Sequence, residues 1–506
     1  MCKDQTIEAG CPDYPNGAEK VPKMTLAAVG SLLMLAALDQ TIVSTALPTI
    51  MIDLEAFDQM TWVVTAYLMT SIVVAPFYGK LGDMIGRKVV MQFAVLIFLL
   101  GSLLSGIANN LLTLISARAI QGIGGGGLFV LALTLVADLV APRDRSKIQG
   151  LFAAVFGISS ILGPLLGGFF VDNFSWHWIF LINIPICLIA QIIFHLNFKV
   201  EQKKSYRQID FMGGLFLCIS LSSLVLLCSL SGREIKLGSN SFFLLIILWL
   251  FFLILFVRTE LKASDPLVPM SLFRYNNFSA YVIVGFLSGC ILLSTLTFTP
   301  IFLQLTKGYT PTGSGLQILP LTLGIIISTS LAGLFISKTG RYKWLPIIGN
   351  AINILALLLM SQVTPETGII SIGSILLLIG IGLGPQLSVV TTAVQNTTKR
   401  NEVGTATATL TMFRQIGSAS GVAVFSAIFI FNFSKVISDV PDIATLNQRE
   451  IFSGRIENLA SMSTTQFKVI EQGIAYGIEV VFLGLALVAV LGLVASLITK
   501  EVALKS

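Results

Sequence analysis

Charge is what this 506-residue chain has least of: 11% of its residues are Asp, Glu, Lys or Arg, against about 25% in soluble domains. Histidine is nearly missing, with His177 and His195 the only two and far apart in sequence. Cysteine is sparse as well: Cys2 and Cys11 lie near the amino terminus, while Cys187, Cys218, Cys228 and Cys290 fall inside apolar runs. That spacing fits no zinc site, and none stands where an extracellular disulfide is expected. Neither Gly-x4-Gly-Lys-Ser/Thr nor His-Glu-x2-His occurs, and no Ser, His and Asp set suggests a nucleophile. Enzymatic chemistry, a bound metal and a cofactor are therefore not expected. The net charge of +6 comes from basic residues scattered through short polar segments, so nucleic acid is not an expected partner either.

Apolar runs fill the space that charge leaves. The chain is 55% hydrophobic with a mean hydropathy of +0.87. A helix crosses hydrocarbon in about 20 residues. Runs of that order occur near 24–50, 60–79, 89–108, 111–138, 146–171 and 178–198, then near 210–230 and 241–257. Six more follow near 277–305, 313–337, 344–362, 368–395, 403–432 and 474–498. Fourteen spans are thus expected in an all-α polytopic membrane protein. Residues 1–23 read as a cytoplasmic tail, 24–199 as one six-helix unit, 200–260 as two inserted helices and 277–500 as a second six-helix unit. The second unit contains a long outer loop, 433–473. The opening residues lack a basic region leading into a short apolar one, so a cleaved signal peptide is not expected. With both termini inside, 23 of the 32 Lys and Arg fall in cytoplasmic segments and 7 outside; such an excess marks the cytoplasmic face. Trp62, Trp176 and Trp178 then fall near the outer interface and Trp344 near the inner one.

Four stretches break the apolar pattern. Gly79-Lys80-Leu81-Gly82-Asp83-Met84-Ile85-Gly86-Arg87-Lys88 places four charges in ten positions and reads as a loop in water, its glycines permitting a tight turn. Gly333 to Arg341 restates it at an offset of 254, with both end glycines and the arginine in register and Ser337 in place of Asp83. This suggests an internal repeat whose halves share architecture but not chemistry. In the first run, Asp39 lies deep in apolar sequence, where an unpartnered ionised group costs several kcal/mol. It reads as a proton carrier, the alternative being a carboxylate locked for packing. Arg118 in the fourth run keeps its charge at any accessible pH. It approaches the depth of Asp39 and is read as tuning it, the alternatives being a structural ion pair or snorkelling to the outer interface. Gly157 to Gly168 in the fifth run has small residues at helical spacing, with Pro164 able to bend the segment; alone it reads as packing. Arg414 in the thirteenth run either neutralises substrate charge or braces the cytoplasmic gate.

In combination these stretches resemble the fourteen-helix drug:proton antiporter family of the major facilitator superfamily, from about residue 24 to 500. The resemblance implies two six-helix bundles plus two inserted central helices. It assigns conformational gating to Gly79, Gly82, Asp83, Gly86, Arg87, Lys88 and Asp138. Asp83 and Arg87 would belong to a charge cluster that stabilises the outward-facing state, with Asp138 a partner of Arg87. Asp39-Gln40-Thr41 with Ala46-Leu47-Pro48 is similar to the family's first-helix motif, and Trp62 to Tyr67 to its second helix. Arg118, Gln121 and Gly122 match the fourth-helix motif implicated in proton transfer. Gly163, Pro164, Gly167 and Gly168 match the fifth-helix motif of antiporters. Gln40, Trp62, Tyr67, Gln121 and Arg414 are candidates for substrate contact or gating. The chain departs from the family in having Trp176-His177-Trp178 where Trp-Arg-Trp is usual, and in its few acids within the second six helices.

The implied function is proton-driven export of amphipathic or lipophilic small molecules by a monomer in a plasma or inner membrane. A proton gradient supplies the energy. Two alternatives are a proton symporter or facilitator importing a nutrient, and a receptor or scaffold that moves nothing. The fifth-helix motif argues against the first, and the costly depths of Asp39 and Arg118 against the second.

Overall fold

The computed structural model describes residues 23–54, 60–198, 210–230, 235, 238–399, 402–438 and 464–502. The amino-terminal tail, the charged stretch before the insert and the centre of the long loop lie outside the described residues. Among those described, helix is nearly the whole structure, as hydrocarbon requires of a chain that must satisfy its own backbone polar groups.

The first half contains α1 (Lys23–Asp53), α2 (Met60–Ile85), α3 (Arg87–Gly106), α4 (Leu111–Leu139) and α5 (Pro142–Asn173). It closes with α6 (Trp178–Leu181) and α7 (Asn183–Asn197), which run as one rod through Ile182. The insert is α8 (Phe211–Leu230) and α9 (Asn240–Lys262). The second half contains α10 (Asn276–Lys307), α11 (Pro311–Leu316), α12 (Leu319–Thr339) and α13 (Trp344–Ser361). It ends with α14 (Ile369–Thr397), α15 (Val403–Ser438) and α16 (Thr464–Ile498). Thirteen described segments are long and apolar enough to cross a membrane, and α5, 32 residues long, completes fourteen rods.

The two halves repeat one plan. Gly86 (φ 99°) ends α2 and Gly340 (φ 70°) ends α12, backbone conformations that glycine adopts freely and β-carbons resist. The end of the bundle that carries both is called here the turn end. At the turn end α2 packs against α15 and α12 against α5, so each half lends one arm to the other. Helix α8 lies against both α2 and α15, while α9 touches α8 and faces outward along most of its length.

Two expectations require correction. The segment 79–88 is no aqueous loop: α2 stays helical to Ile85, and only Gly86 interrupts the path into α3. Lys80 and Arg87 are 3% and 2% exposed, because carbonyls and carboxylates take the place of water around them. The outer loop is also shorter than 433–473, since α15 continues to Ser438 and α16 begins at Thr464. Trp176 is buried within the protein, its indole Nε1 donating to Asp53 at the end of α1 at 2.8 Å; Trp178 and Trp344 are exposed.

Candidate functional site

Two polar assemblies interrupt the apolar packing of the first half. The deeper one is built on α1 and α4. Arg118 and Gln121 stand three residues apart on α4 and so share a face. Gly101 of α3 has no room for a β-carbon against the Gln121 backbone, which brings α3 close enough to contribute Ser102. Small residues permit such close helix approach in membranes. Asp39 of α1 faces this group with no exposed surface.

Every oxygen of that carboxylate is engaged. Arg118 Nη1 donates to Asp39 Oδ2 at 2.6 Å, and Gln121 Nε2 to Oδ1 at 2.8 Å. Asn183 Nδ2 reaches Oδ1 at 3.4 Å and Ser102 Oγ at 3.0 Å. Arg118 Nη1 also donates to Gln121 Oε1 at 2.7 Å. The guanidinium carbon lies 4.4 Å from the Tyr67 ring centroid and 5.7 Å from that of Phe180, within the range of cation–π attraction. The cation thus has three kinds of partner: one carboxylate, one amide oxygen and two aromatic faces. Protonating Asp39 removes only the first. The arrangement stabilises the charged pair when sealed and leaves the arginine partly accommodated when the acid is neutral.

The second assembly lies at the turn end. Arg87 pairs with Asp83 at 3.0 Å and Asp138 at 2.8 Å, and donates to the Thr134 carbonyl. Asp83 continues across to the other half, accepting the backbone N–H groups of Gly404 at 3.1 Å and Thr405 at 2.9 Å and the Thr405 hydroxyl at 3.2 Å. These N–H groups begin α15 and have no partners within their own helix; the helix dipole adds to their attraction for a carboxylate. Gly79 of α2 lets this approach happen, since a β-carbon there would strike Gly404 and Ala408. Gly82 is buried against Leu131. Lys88 points elsewhere, donating to the carbonyls of His195 and Phe198 at 2.9 and 2.6 Å at the carboxyl end of α7. Lys80 holds the segment after the insert through the carbonyls of Asp265 and Pro266.

Further contacts between the halves accumulate at the same end. Ser146 and Gln149 of α5 meet Thr392 of α14 at 2.9 and 3.3 Å, and Gln395 Nε2 donates to the Leu133 carbonyl at 3.2 Å. Ser337 donates to Asp144 of α5 at 3.1 Å, and Lys147 pairs with the same carboxylate at 2.8 Å. The Lys147 ammonium holds the Asp144 carboxyl below its ordinary range, partial burial opposing and the Ser337 hydroxyl assisting. The repeat therefore exchanges roles: α2 offers a carboxylate to α15, whereas α12 offers a hydroxyl to a carboxylate on α5.

The remaining candidates are dispersed. Gly163 of α5 packs against Thr41 of α1, and Thr41 Oγ1 donates to the Ser159 carbonyl at 3.0 Å. Gly167 is buried, Gly168 has open space beside it, and α5 runs helically through position 164. Gln40 and Trp62 are half-buried. Arg414 is half-buried on α15, its Nη2 3.2 Å from Thr391 Oγ1 and 3.4 Å from the Leu387 carbonyl. Sequence reasoning missed Ser102 and Asn183, which look like any isolated polar residue in an apolar run. It also missed Glu260, a buried carboxylate that accepts the Leu267 and Val268 N–H groups at 3.1 and 3.2 Å.

Comparisons with known proteins agree with this architecture. Residues 29–422 match the Major Facilitator Superfamily. Multidrug resistance protein 3 of Bacillus subtilis is 35% identical over 407 residues, 80% of this chain and 79% of that protein. Multidrug transporter protein MdtP of the same organism is 32% identical over 87% of this chain and 82% of its own. Among solved structures, the human organic anion transporter MFSD10 superposes with a TM-score of 0.63 at 14% identity, covering 94% of this chain and 99% of that one. The proton:xylose symporter XylE gives 0.58 at 14% identity, with 93% and 94% covered. At such identities the likeness is one of fold alone.

Proposed function

Because the chain belongs to the major facilitator superfamily, we propose that it is a proton-coupled antiporter exporting amphipathic or lipophilic small molecules by alternating access. Membership makes it an integral membrane transporter rather than an enzyme, and the multidrug and efflux names of its relatives support outward transport.

The observation that carries the coupling is the Asp39–Arg118 pair, at 2.6 Å and sealed from solvent. A buried ion pair is a poor source of stability, because desolvating both charges offsets most of their attraction. Its use here is as a switch. A proton arriving at Asp39 neutralises the carboxylate and loosens its hold on Arg118, which Gln121 and the Tyr67 and Phe180 rings still accommodate. Restoring the pair expels the proton. Linking those two events to opposite orientations of the halves gives antiport.

In this reading the turn end faces the cytoplasm, as the excess of Lys and Arg there supports, and the contacts through Asp83, Thr392 and Gln395 correspond to a cytoplasmic side that is shut. Opening it breaks those contacts while the opposite end closes. The carrier works as a monomer in a plasma or inner membrane, with the proton gradient as its energy source. The test is dye movement in proteoliposomes, using ethidium and fluorescein under an imposed pH gradient. Gradient-driven movement that nigericin abolishes is expected; movement at the same rate after the gradient collapses would contradict coupling.

A further inference from the structure

The spanning helices of the second half are almost free of charge. Helix α13 and α14 carry none, α10 and α12 carry only Lys307 and Lys338 in their last turns, α15 carries Arg414 and Lys435, and α16 carries Lys468, Glu471 and Glu479 in its first half. Arg414 stands out by depth. It lies about 16 Å along α15 from the turn end at 1.5 Å per residue, roughly half of a 30 Å hydrocarbon layer.

Its partners are weak for a cation at such depth. The bonds to Thr391 and Leu387 are neutral and long, at 3.2 and 3.4 Å, and Nε is buried with no partner. None of the ion pairs among the described residues includes Arg414. Arg118, by contrast, has a carboxylate, an amide and two aromatic faces. An arginine cannot shed its proton to escape the penalty, so an anion at this place would gain what the protein itself does not provide. Asp39 is unsuited to that role, being committed to Arg118, Gln121 and Asn183.

Location decides between the two roles that Arg414 can play. A brace for the gate would reach across to the first half, but the hydrogen bonds of Arg414 go to α14 of its own half. The α14 residue beside Thr391 is Thr392, which makes the contact to Ser146 and Gln149 across the seam. Helix α10 packs at the same level, since a β-carbon on Gly289 would strike the Arg414 carbonyl. Arg414 thus sits where the α15 backbone meets α10, with its guanidinium against α14 next to the closed seam and with donor capacity to spare.

We propose that Arg414 recognises the transported compound, and that this compound is an amphipathic organic anion bearing a carboxylate or equivalent oxyanion. The assignment rests on the exporter reading above and narrows it. With Asp39 and Arg118 cancelling each other, the Arg414 guanidinium has no carboxylate in an ion pair with it among the described residues, which favours an anion and opposes a lipophilic cation of similar size.

The test titrates fluorescein and ethidium, an aromatic anion and an aromatic cation, against the purified full chain in nanodiscs, and measures transport of both in proteoliposomes. Wild type binds fluorescein more tightly than ethidium. Arg414→Gln weakens fluorescein by about tenfold to a hundredfold, the range for losing a hydrogen bond to a charged group, and reverses the preference. Arg414→Lys, which keeps the charge without the fork, retains part of it and guards against misfolding of the first variant. Tighter binding of ethidium, fluorescein affinity unchanged by Arg414→Gln, or binding of neither dye would overturn the anion assignment. Ethidium transported without fluorescein binding would overturn it while the exporter reading stands. Fluorescein bound through Arg414 but never moved would leave the anion site standing and contradict the exporter reading.

Discussion

The carboxylate of Asp83 in one half accepts the backbone N–H of Thr405 in the other at 2.9 Å. Arg87 holds that carboxylate from behind at 3.0 Å and is itself held by Asp138 at 2.8 Å. The latch between halves is therefore charge-assisted, aimed at a helix amino terminus and fixed in place by a second acid.

Asp83→Asn keeps the shape of the latch and removes its charge. The loss of a charged hydrogen bond is worth about 1.5–3 kcal/mol, enough to shift a two-state equilibrium by tenfold or more. Spin labels on exposed Val89 and Leu334, one in each half near the turn end, report the opening. A short distance is expected to dominate in wild type, and a longer one to gain population in the variant. Identical distributions would mean that the carboxylate does not hold the state.

The opposite latch predicts a milder effect. Ser337→Ala removes one hydrogen bond between partly exposed groups, worth about 0.5–1.5 kcal/mol. Its pH dependence has a definite sign. The Asp144 carboxyl is held low by Lys147, and a depressed acid keeps its contribution at neutral pH, losing it only as pH falls through the lowered value. Opening at this seam should thus be insensitive to pH near neutrality, as the same spin-label distances recorded from neutral to acid pH would reveal. A transition near neutrality that Ser337→Ala removes would contradict this.

Gly86 and Gly340 form a matched pair for a backbone test. Alanine at a sparsely populated positive-φ conformation costs about 1–3 kcal/mol, so Gly86→Ala and Gly340→Ala should each lower the thermal midpoint of the purified protein. Alanine at Gly368, which ends in open space at negative φ, should lower it much less. Equal effects at all three would show that the turn geometry carries no strain for alanine.

Removing one member of the deep pair is expected to be harsher than removing both. Asp39→Ala strands Arg118, and breaking a buried pair from one side costs about 3–5 kcal/mol. Arg118→Leu added to Asp39→Ala should recover part of that stability while leaving gradient-driven transport absent. Thermal unfolding of the single and double variants measures the recovery.

Much of this organisation is legible in the sequence because hydrocarbon imposes strict rules. Spans must be long and apolar, so fourteen runs stand out, and any charge within one is conspicuous, as Asp39, Arg118 and Arg414 are. Helix ends are less legible. The charges of Lys80 and Arg87 suggest water, yet buried carbonyls and acids satisfy them, which depends on partners at positions 265, 266 and 138 that no local pattern indicates. Ser337 in place of Asp83 reads as lost chemistry, and only the packing of α5 reveals that Asp144 supplies the acid from the other side. Asn183 and Ser102 complete the Asp39 cluster through helices that meet it in space alone.

The central claim is that the proton driving export resides on Asp39. It is tested most directly by comparing wild type and Asp39→Asn in proteoliposomes for two activities: uphill dye movement under a pH gradient, and dye exchange without one. Asp39→Asn is expected to lose uphill movement and keep exchange, since the asparagine is neutral as protonated aspartate is, and the halves can still rock. Uphill movement at the wild-type rate in Asp39→Asn would contradict it and place the coupling proton elsewhere.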